Sequence, residues 1–204
     1  IPRNPFAQLH ISPNVKEREY LTEDEIKTIM AHEFESSTLT LVRDLFVFAC
    51  FTALSFVDMK ELTTDEIVEV NGEKWIIGKP HKTNVPFQVK LLDIPLQIIE
   101  RYKHLSKDKL VFGEINYWTM CKQLKRVIKE CGIEKQISYH CARHTFGTLA
   151  LTKGMPIESV SRVLGHTNIV TTQIYAKITT QKLDNDLTMF GGKLNKVFND
   201  VSMV

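Results

Sequence analysis

Two stretches near the C-terminal end of the sequence contain the residue types that cleavage of a phosphodiester requires. Residues 138–148 read SYHCARHTFGT, and residues 164–175 read LGHTNIVTTQIY. His140 and Arg143 are three positions apart, so they share one face if the first stretch is helical. In the second stretch, Gly165 is able to end a helix just before His166, and Tyr175 follows. A guanidinium that keeps its charge, two imidazoles and a phenol are suited to attack on a phosphorus centre.

Direct attack on a DNA phosphodiester needs a nucleophile, charge neutralisation at the phosphate oxygens and an acid for the departing 5′-hydroxyl. The candidate nucleophile is Tyr175, whose phenol has an ordinary pKa of about 10 and must lose its proton during attack. Arg143 would stabilise the phosphorane through its fork of N–H donors. The two stretches therefore predict covalent phosphotyrosine chemistry that uses no cofactor.

Two other interpretations compete with this one. His140 and His144 have the i,i+4 spacing of zinc ligands, but the zinc-protease pattern needs a Glu directly after the first His, and Cys141 stands there. We therefore predict no metal site. Residues 157–175 also have the helix, glycine turn and helix order of a helix-turn-helix reader, which predicts DNA binding without catalysis.

The combination of His-x-x-Arg, Leu-Gly-His and a following Tyr resembles the active site of the tyrosine recombinases, also called phage-type integrases. The resemblance extends from about residue 19 to residue 180. It implies a mainly α-helical catalytic domain with a small three-stranded antiparallel sheet, a fold shared with the type IB topoisomerases. The implied activity is site-specific DNA strand cleavage and rejoining through a 3′-phosphotyrosine, for integration or excision of a mobile element. A topoisomerase is less favoured, because this array is short and Leu-Gly-His precedes the Tyr.

The resemblance also implies a role for each residue of the two stretches. Tyr175 is the nucleophile, and Arg143 stabilises the phosphorane. His140 binds the phosphate and is a candidate to accept the Tyr175 proton. His166 donates a hydrogen bond to a non-bridging oxygen.

Two further positions of the family pattern lie upstream. A lysine between the second and third strands protonates the leaving oxygen, and Lys82 is the best match to it, with Lys79 as the second choice. Family members generally have Gly-Leu-Arg where this chain has Ala-Leu-Ser, so Ser55 stands at the position of the first catalytic Arg. Either Arg43 or Lys60 supplies the missing cation, or the chain has lost its activity. We favour the first, because the other motifs are present.

The resemblance implies partners and a location as well. The partners are double-stranded DNA attachment sites, a homotetramer assembled on DNA, and accessory DNA-bending or excision proteins. It implies a cytoplasmic protein without membrane association.

Patterning along the chain predicts the elements that position these residues. Residues 1–18 contain three prolines and are predicted to be an interdomain linker remnant, followed by the catalytic domain over 19–180 and a tail over 181–204 that is exchanged between protomers. Period-two alternation and an Asn71-Gly72 turn predict strands at 67–70, 75–79 and 85–91. Helical periodicity, with a capping box at Thr22 and Glu25, predicts helices over about 22–33, 38–51, 94–104, 117–131, 139–153 and 179–189, and another from Pro156. Gly191-Gly192, after the last of them, would suit a hinge for that exchange, and a frayed terminus explains the pair equally well.

Charge and cysteine content support the same interpretation. Of the 204 residues, 43% are hydrophobic, which is ample for a core. Residues 1–100 carry a net charge of −6, whereas residues 101–204, which contain both stretches, carry +8. A basic half is expected if one face meets a polyanion. The four cysteines show no C-x-x-C spacing, so we predict reduced thiols rather than disulfides or metal ligands.

Overall fold

Helices make up most of the structure and surround one central helix. The computed structural model describes residues 19–78, 87–114, 116–175 and 180–198. Its helices are α1 (Glu23–Ala31), α2 (Ser37–Thr52), α3 (Phe56–Lys60), α4 (Asp93–Arg101), α5 (Tyr117–Glu130), α6 (Cys141–Thr152), α7 (Ile157–Val163), α8 (Val170–Gln173) and α9 (Thr180–Phe198), and its strands are β1 (Ile67–Val70), β2 (Glu73–Gly78) and β3 (Phe87–Lys90). The mainly α-helical fold with one three-stranded antiparallel sheet is confirmed.

The central helix is α2, whose side chains are apolar on nearly every side. Leu45, Phe46 and Phe48 are completely buried in the main core. A helix that is hydrophobic all round needs partners on all its faces. Helices α4, α5 and α6 supply them by packing against α2. The contact between α2 and α6 places the residue 138–148 motif directly on the core.

The small sheet covers another part of the same core. Its strands follow the order β1, β2, β3, and each neighbouring pair is antiparallel. Asn71 and Gly72 both have positive φ, 53° and 79°, as a type I′ turn requires. Ile76, Phe87 and Val89 are buried, so one face of the sheet packs on the helices.

Two residues with left-handed backbone end the helices that lead into the candidate site. Ala53, with φ of 59°, ends α2 and turns the chain into α3. A left-handed conformation costs a residue with a Cβ roughly 1–2 kcal/mol, so the surrounding packing must hold Ala53 there. Gly165, with φ of 64°, follows α7 and adopts this conformation without that cost.

The C-terminal helix is longer than predicted. The expected end near residue 189, with a hinge at Gly191-Gly192, is wrong, because α9 continues through both glycines to Phe198. Each glycine costs a helix only about 1 kcal/mol relative to alanine, which does not by itself end the helix. Within the described ranges, no helix is both long and apolar enough to cross a bilayer.

Candidate active site

Arg143 joins the ends of two helices at the centre of the candidate site. It lies in the first turn of α6, and its Nη1 donates a hydrogen bond to the carbonyl oxygen of Ala53, at the end of α2. Its Nη2 donates to the carbonyl oxygen of Leu164, at the end of α7, over 2.6 Å. These carbonyls carry the negative end of each helix dipole, so they attract a cation. Both bonds fix the plane of the guanidinium.

Burial changes the electrostatics of this arginine. Burial lowers the pKa of Arg143 from its ordinary value, while Tyr175, Asp58 and Tyr139 act in the opposite direction. The guanidinium keeps its charge in proteins, so the site contains a fixed cation with a defined orientation. A guanidinium has five N–H groups in all, so the two anchoring bonds use only part of its donors.

His166 is held in position by the helix that follows it. Its Nδ1 lies 2.9 Å from the hydroxyl oxygen of Thr172, which is completely buried in α8. Burial lowers the pKa of His166, and the charges of Arg143 and His140 lower it further. A lowered pKa favours the neutral imidazole at neutral pH, in which one ring nitrogen donates and the other accepts.

Tyr175 lies against α6 at a glycine. A Cβ built on Gly147 would be 3.0 Å from Cγ and Cδ2 of the Tyr175 ring, which is tighter than nine in ten real Cβ contacts, so glycine favours this close approach. The ring of His144 is 5.2 Å away, and the ring of His166 is nearly parallel to Tyr175 at 6.4 Å. The side chain of Tyr175 is half-buried and packs beside a small apolar cluster rather than inside the main core.

His140 stands at the open side of this group. It is the N-cap residue of α6 rather than a residue within the helix, which begins at Cys141. Its side chain is exposed, and its ring lies 4.8 Å from that of His144. The structure therefore brings together His140, Arg143, His166 and Tyr175. Their spacing in the sequence predicted this grouping.

Ser55 is bound to the carboxylate next to it. Its hydroxyl donates a hydrogen bond of 2.5 Å to Asp58 Oδ2 and, as the N-cap of α3, accepts a bond from the Asp58 amide. Asp58 is close enough to Arg143 to oppose the lowering of its pKa. A hydroxyl cannot carry charge, so the position of the expected first Arg contributes none.

The structure does not bring Arg43 into this group. Arg43 lies on α2 ten residues before Ala53, a distance of about 15 Å along a helix. Its Nη1 donates to the carbonyl oxygens of Ile29, Met30 and His32, where α1 ends, and its Nε lies 2.5 Å from Asp44. Arg43 therefore neutralises the end of α1 and is an unsuitable substitute for the missing cation.

Of the lysines predicted to take part in the site, the structure describes Lys60 alone. Lys60 is exposed at the end of α3, two residues after Asp58. Lys82 and the second choice, Lys79, lie outside the described residues.

Three residues of the site escaped the sequence-based prediction of roles. Gly147 and His144 contact the Tyr175 ring, and Thr172 contacts His166. A glycine within a helical pattern often marks a close approach, so Gly147 carried a usable signal. Thr172 belongs to the Thr-Thr pair that lies between Leu-Gly-His and Tyr175 in the family resemblance, but its contact with His166 is defined only by the folded chain. In the described part of the chain, no cluster of three or more His, Cys, Asp or Glu residues is placed to hold a metal ion.

Comparisons with known proteins agree on one family. The phage integrase family profile matches residues 19–182. A tyrosine recombinase from Thermosipho africanus is 27% identical over 193 residues, which are 89% of this chain and 65% of that protein. The tyrosine recombinase XerD from Listeria innocua is 31% identical over 153 residues, or 68% of this chain and 50% of that protein. This chain thus spans about half to two thirds of the relatives it matches.

Solved structures show the same fold. XerH site-specific recombinase bound to its palindromic difH substrate, in a post-cleavage complex, superposes with a TM-score of 0.69 at 22% identity, covering 86% of this chain and 54% of that one. The Tn1549 transposon integrase in complex with transposon right end DNA gives a TM-score of 0.72 at 16% identity, covering 94% and 72%. At these identities the likeness concerns the fold alone.

Proposed function

The chain belongs to the phage integrase family, and from this membership we propose that it is the catalytic domain of a site-specific tyrosine recombinase. It would cut and rejoin double-stranded DNA at attachment sites, for integration or excision of a mobile element in the cytoplasm. The observation that carries the proposal is the grouping of Tyr175 with the doubly anchored Arg143 and with His166.

The proposed reaction follows from the chemistry of these side chains. The Tyr175 oxygen attacks phosphorus as its proton passes to His140, and the bond between phosphorus and the 5′-oxygen breaks. Arg143 and His166 donate hydrogen bonds to the non-bridging oxygens, where charge develops. Lys82 gives a proton to the leaving 5′-oxygen. The covalent product is a 3′-phosphotyrosine, which a 5′-hydroxyl of another strand reverses without a cofactor.

The fixed geometry of Arg143 supports a catalytic role. Donors that are preoriented toward developing charge avoid reorganisation during the reaction, and one such donor commonly contributes about 2.7–4 kcal/mol. Two carbonyl oxygens already hold this guanidinium, so its orientation does not depend on the substrate. The exposed His140 leaves the group open to a large ligand such as duplex DNA.

The proposal is tested with a nicked duplex that carries the attachment site and traps a covalent adduct. The native chain, restored to its full length, is expected to form an adduct that survives denaturation, and Tyr175→Phe is expected to form none. Tyr20→Phe is the matched control, because it removes the same atom from a tyrosine outside the site. An adduct that persists in Tyr175→Phe would refute the assignment of the nucleophile.

Assembly into a homotetramer is part of the proposal. The α9 residues with the spacing of one helical stripe are apolar and exposed, namely Leu183, Leu187, Phe190 and Leu194. We expect this stripe to pack on another protomer when the chains assemble on DNA. The double variant Leu187→Asp and Phe190→Asp should reduce the complex on DNA from tetramer to smaller species in sedimentation.

A second function is favoured by one observation, the absence of charge at Ser55. A family member that binds DNA without cutting it fits a site in which this hydroxyl is bound to Asp58. The variant Ser55→Arg separates the two. If the native chain forms no adduct and Ser55→Arg does, the native chain is a DNA-binding protein. If the native chain forms an adduct that Lys60→Ala slows, Lys60 supplies the cation.

A further inference from the structure

Thr172 occupies one of the two ring nitrogens of His166. The hydroxyl oxygen of Thr172 lies 2.9 Å from His166 Nδ1, so Nε2 is the nitrogen left to contact a phosphate oxygen. To donate a hydrogen bond to that oxygen, Nε2 must carry a proton. A hydroxyl and a neutral imidazole can each donate or accept, so two arrangements of protons share this geometry.

The two arrangements leave His166 with opposite capacities. If the Thr172 hydroxyl donates to Nδ1, the neutral ring carries its proton on Nε2 and can donate to a phosphate oxygen. If Nδ1 donates to the hydroxyl, Nε2 has only a lone pair, which a phosphate oxygen repels. The direction of this one hydrogen bond therefore decides whether a neutral His166 can stabilise charge on the phosphate.

Burial of Thr172 favours the first arrangement. Its exposed fraction is 0%, so its hydroxyl proton needs an acceptor within the protein. Among the hydrogen bonds between described residues, this hydroxyl makes one, with His166. If Nδ1 were the donor, the hydroxyl proton would lack an acceptor among those residues, a situation that is rare for buried polar groups.

Other helical threonines show the usual alternative for such a proton. Their hydroxyls donate to the carbonyl oxygen four residues earlier, as seen at Thr28, Thr40, Thr52 and Thr152. The corresponding carbonyl for Thr172 is that of Asn168, which accepts the Thr171 amide at 3.0 Å. Within the part of the chain that the structure describes, no bond joins that carbonyl to the Thr172 hydroxyl. The proton of Thr172 is therefore directed to the imidazole.

The backbone holds both partners of this contact in place. The His166 amide donates to the carbonyl oxygen of Ser161 in α7 over 3.0 Å. The Thr172 amide donates to the carbonyl oxygen of Ile169 over 2.8 Å, and α8 packs against α7. The bond between the hydroxyl and the ring thus joins two fixed points, so it also fixes the direction in which Nε2 is presented.

We propose that Thr172 is a positioning residue that keeps the proton of His166 on Nε2, where it is directed to the phosphate that Tyr175 attacks. This inference rests on the proposed function and adds to it the group that makes His166 a donor. Thr172 is completely buried, so it acts through the imidazole and does not touch DNA. No proton is gained or lost, because the hydroxyl only selects between two tautomers of one neutral ring.

NMR of the full-length protein labelled with ¹⁵N-histidine tests the tautomer directly. Two-bond ¹H–¹⁵N correlations distinguish a ring nitrogen that carries a proton from one that does not, and the signals of His166 are those that vanish in His166→Gln. At about pH 8, above the ordinary histidine pKa of about 6.5, we expect the proton on Nε2 and none on Nδ1. A proton on Nδ1, or no preference between the two nitrogens, overturns the proposal.

Variants of Thr172 test the consequence for the reaction. Thr172→Val keeps the shape of the side chain and removes the hydroxyl, so the share of His166 with its proton on Nε2 should fall and adduct formation should slow about 10-fold. Thr172→Ser keeps the hydroxyl and should restore the tautomer and most of the rate. Thr40→Val is the matched control, because it removes a hydroxyl that bonds a carbonyl at the start of α2. A native rate in Thr172→Val, or a rate in Thr172→Ser as low as that of Thr172→Val, overturns the role of the hydroxyl.

This inference and the proposed function fail in different ways. If the native chain forms the adduct while His166 carries its proton on Nδ1, the role of Thr172 is lost and the recombinase remains. If Nε2 carries the proton as expected and the full-length chain forms no adduct, the tautomer assignment remains and the catalytic proposal is lost.

Discussion

Substitution of Gly147 by alanine tests whether the backbone of α6 sets the position of the Tyr175 ring. The added Cβ would lie 3.0 Å from Cγ and Cδ2 of Tyr175 and 3.2 Å from Cδ1. Ordinary contacts of a Cβ begin near 3.4 Å, so the ring must move by a few tenths of an ångström. A misplacement of about 1 Å can lower a rate about 100-fold. Because this shift is smaller than that, we expect the rate of adduct formation to fall about 3- to 10-fold.

The free energy of unfolding of Gly147→Ala should rise slightly or stay nearly unchanged. Alanine is about 1 kcal/mol better than glycine within a helix, and this gain offsets the cost of moving a half-buried ring. Urea unfolding measures the stability and the nicked duplex measures the adduct rate. Gly192→Ala is the matched control, because it makes the same change within α9, where an added Cβ meets no atom within 4 Å. An unchanged adduct rate in Gly147→Ala would show that this contact does not position the nucleophile.

Three further variants probe the site. Tyr139→Phe should raise the free energy of unfolding by about 1–3 kcal/mol in urea, because the Tyr139 hydroxyl is buried without a hydrogen-bond partner among the described residues; a loss of stability would mean that this hydroxyl is bonded. Arg143→Lys should lower the free energy of unfolding by about 1–3 kcal/mol, because one ammonium cannot satisfy both carbonyl oxygens in the same geometry. The same variant should slow adduct formation about 100- to 1000-fold. Native-like values in both assays would contradict the anchoring described for Arg143. The pKa of His166 in the folded chain lies below its value in the unfolded chain, which is about 6.5. The stability that His166 contributes is therefore present above about pH 6.5 and is lost as the pH falls through the lower, folded-state pKa. His166→Gln should flatten this loss of stability in urea midpoints measured from about pH 7 to 5, and an unchanged loss would assign it to other groups.

Local signals in the sequence predicted the helices well. The capping box at Thr22 and Glu25 is present in the structure, and α1 begins at the next residue, Glu23. Such signals act within one turn of chain, so they do not depend on the rest of the fold. The end of α9 was harder to predict, because a glycine pair weakens a helix without forbidding it.

The candidate site could be predicted only in part from the sequence, because its contacts depend on the tertiary structure. The spacing of His140, Arg143, His166 and Tyr175 predicted a group that the structure brings together, because the order of the helices repeats a family pattern. Arg43 was a candidate for the substitute cation because it lies one helix before Ser55 in the sequence. Closeness in sequence does not determine where a side chain is directed. Its guanidinium is directed to the end of α1, where three carbonyl oxygens hold it. Only tertiary structure reveals such a partner.

The double anchoring of Arg143 has an evolutionary consequence. A descendant that no longer cut DNA would still need this side chain to tie α2 to α7, so selection for folding alone would preserve it. Phenylalanine at position 175 would keep the ring that lies on Gly147 and lose the hydroxyl that we propose as the nucleophile. Among diverged members of the family, loss of cleavage is therefore expected to leave its first lasting substitution at position 175, and an intact arginine at position 143 is weak evidence that a member cuts DNA.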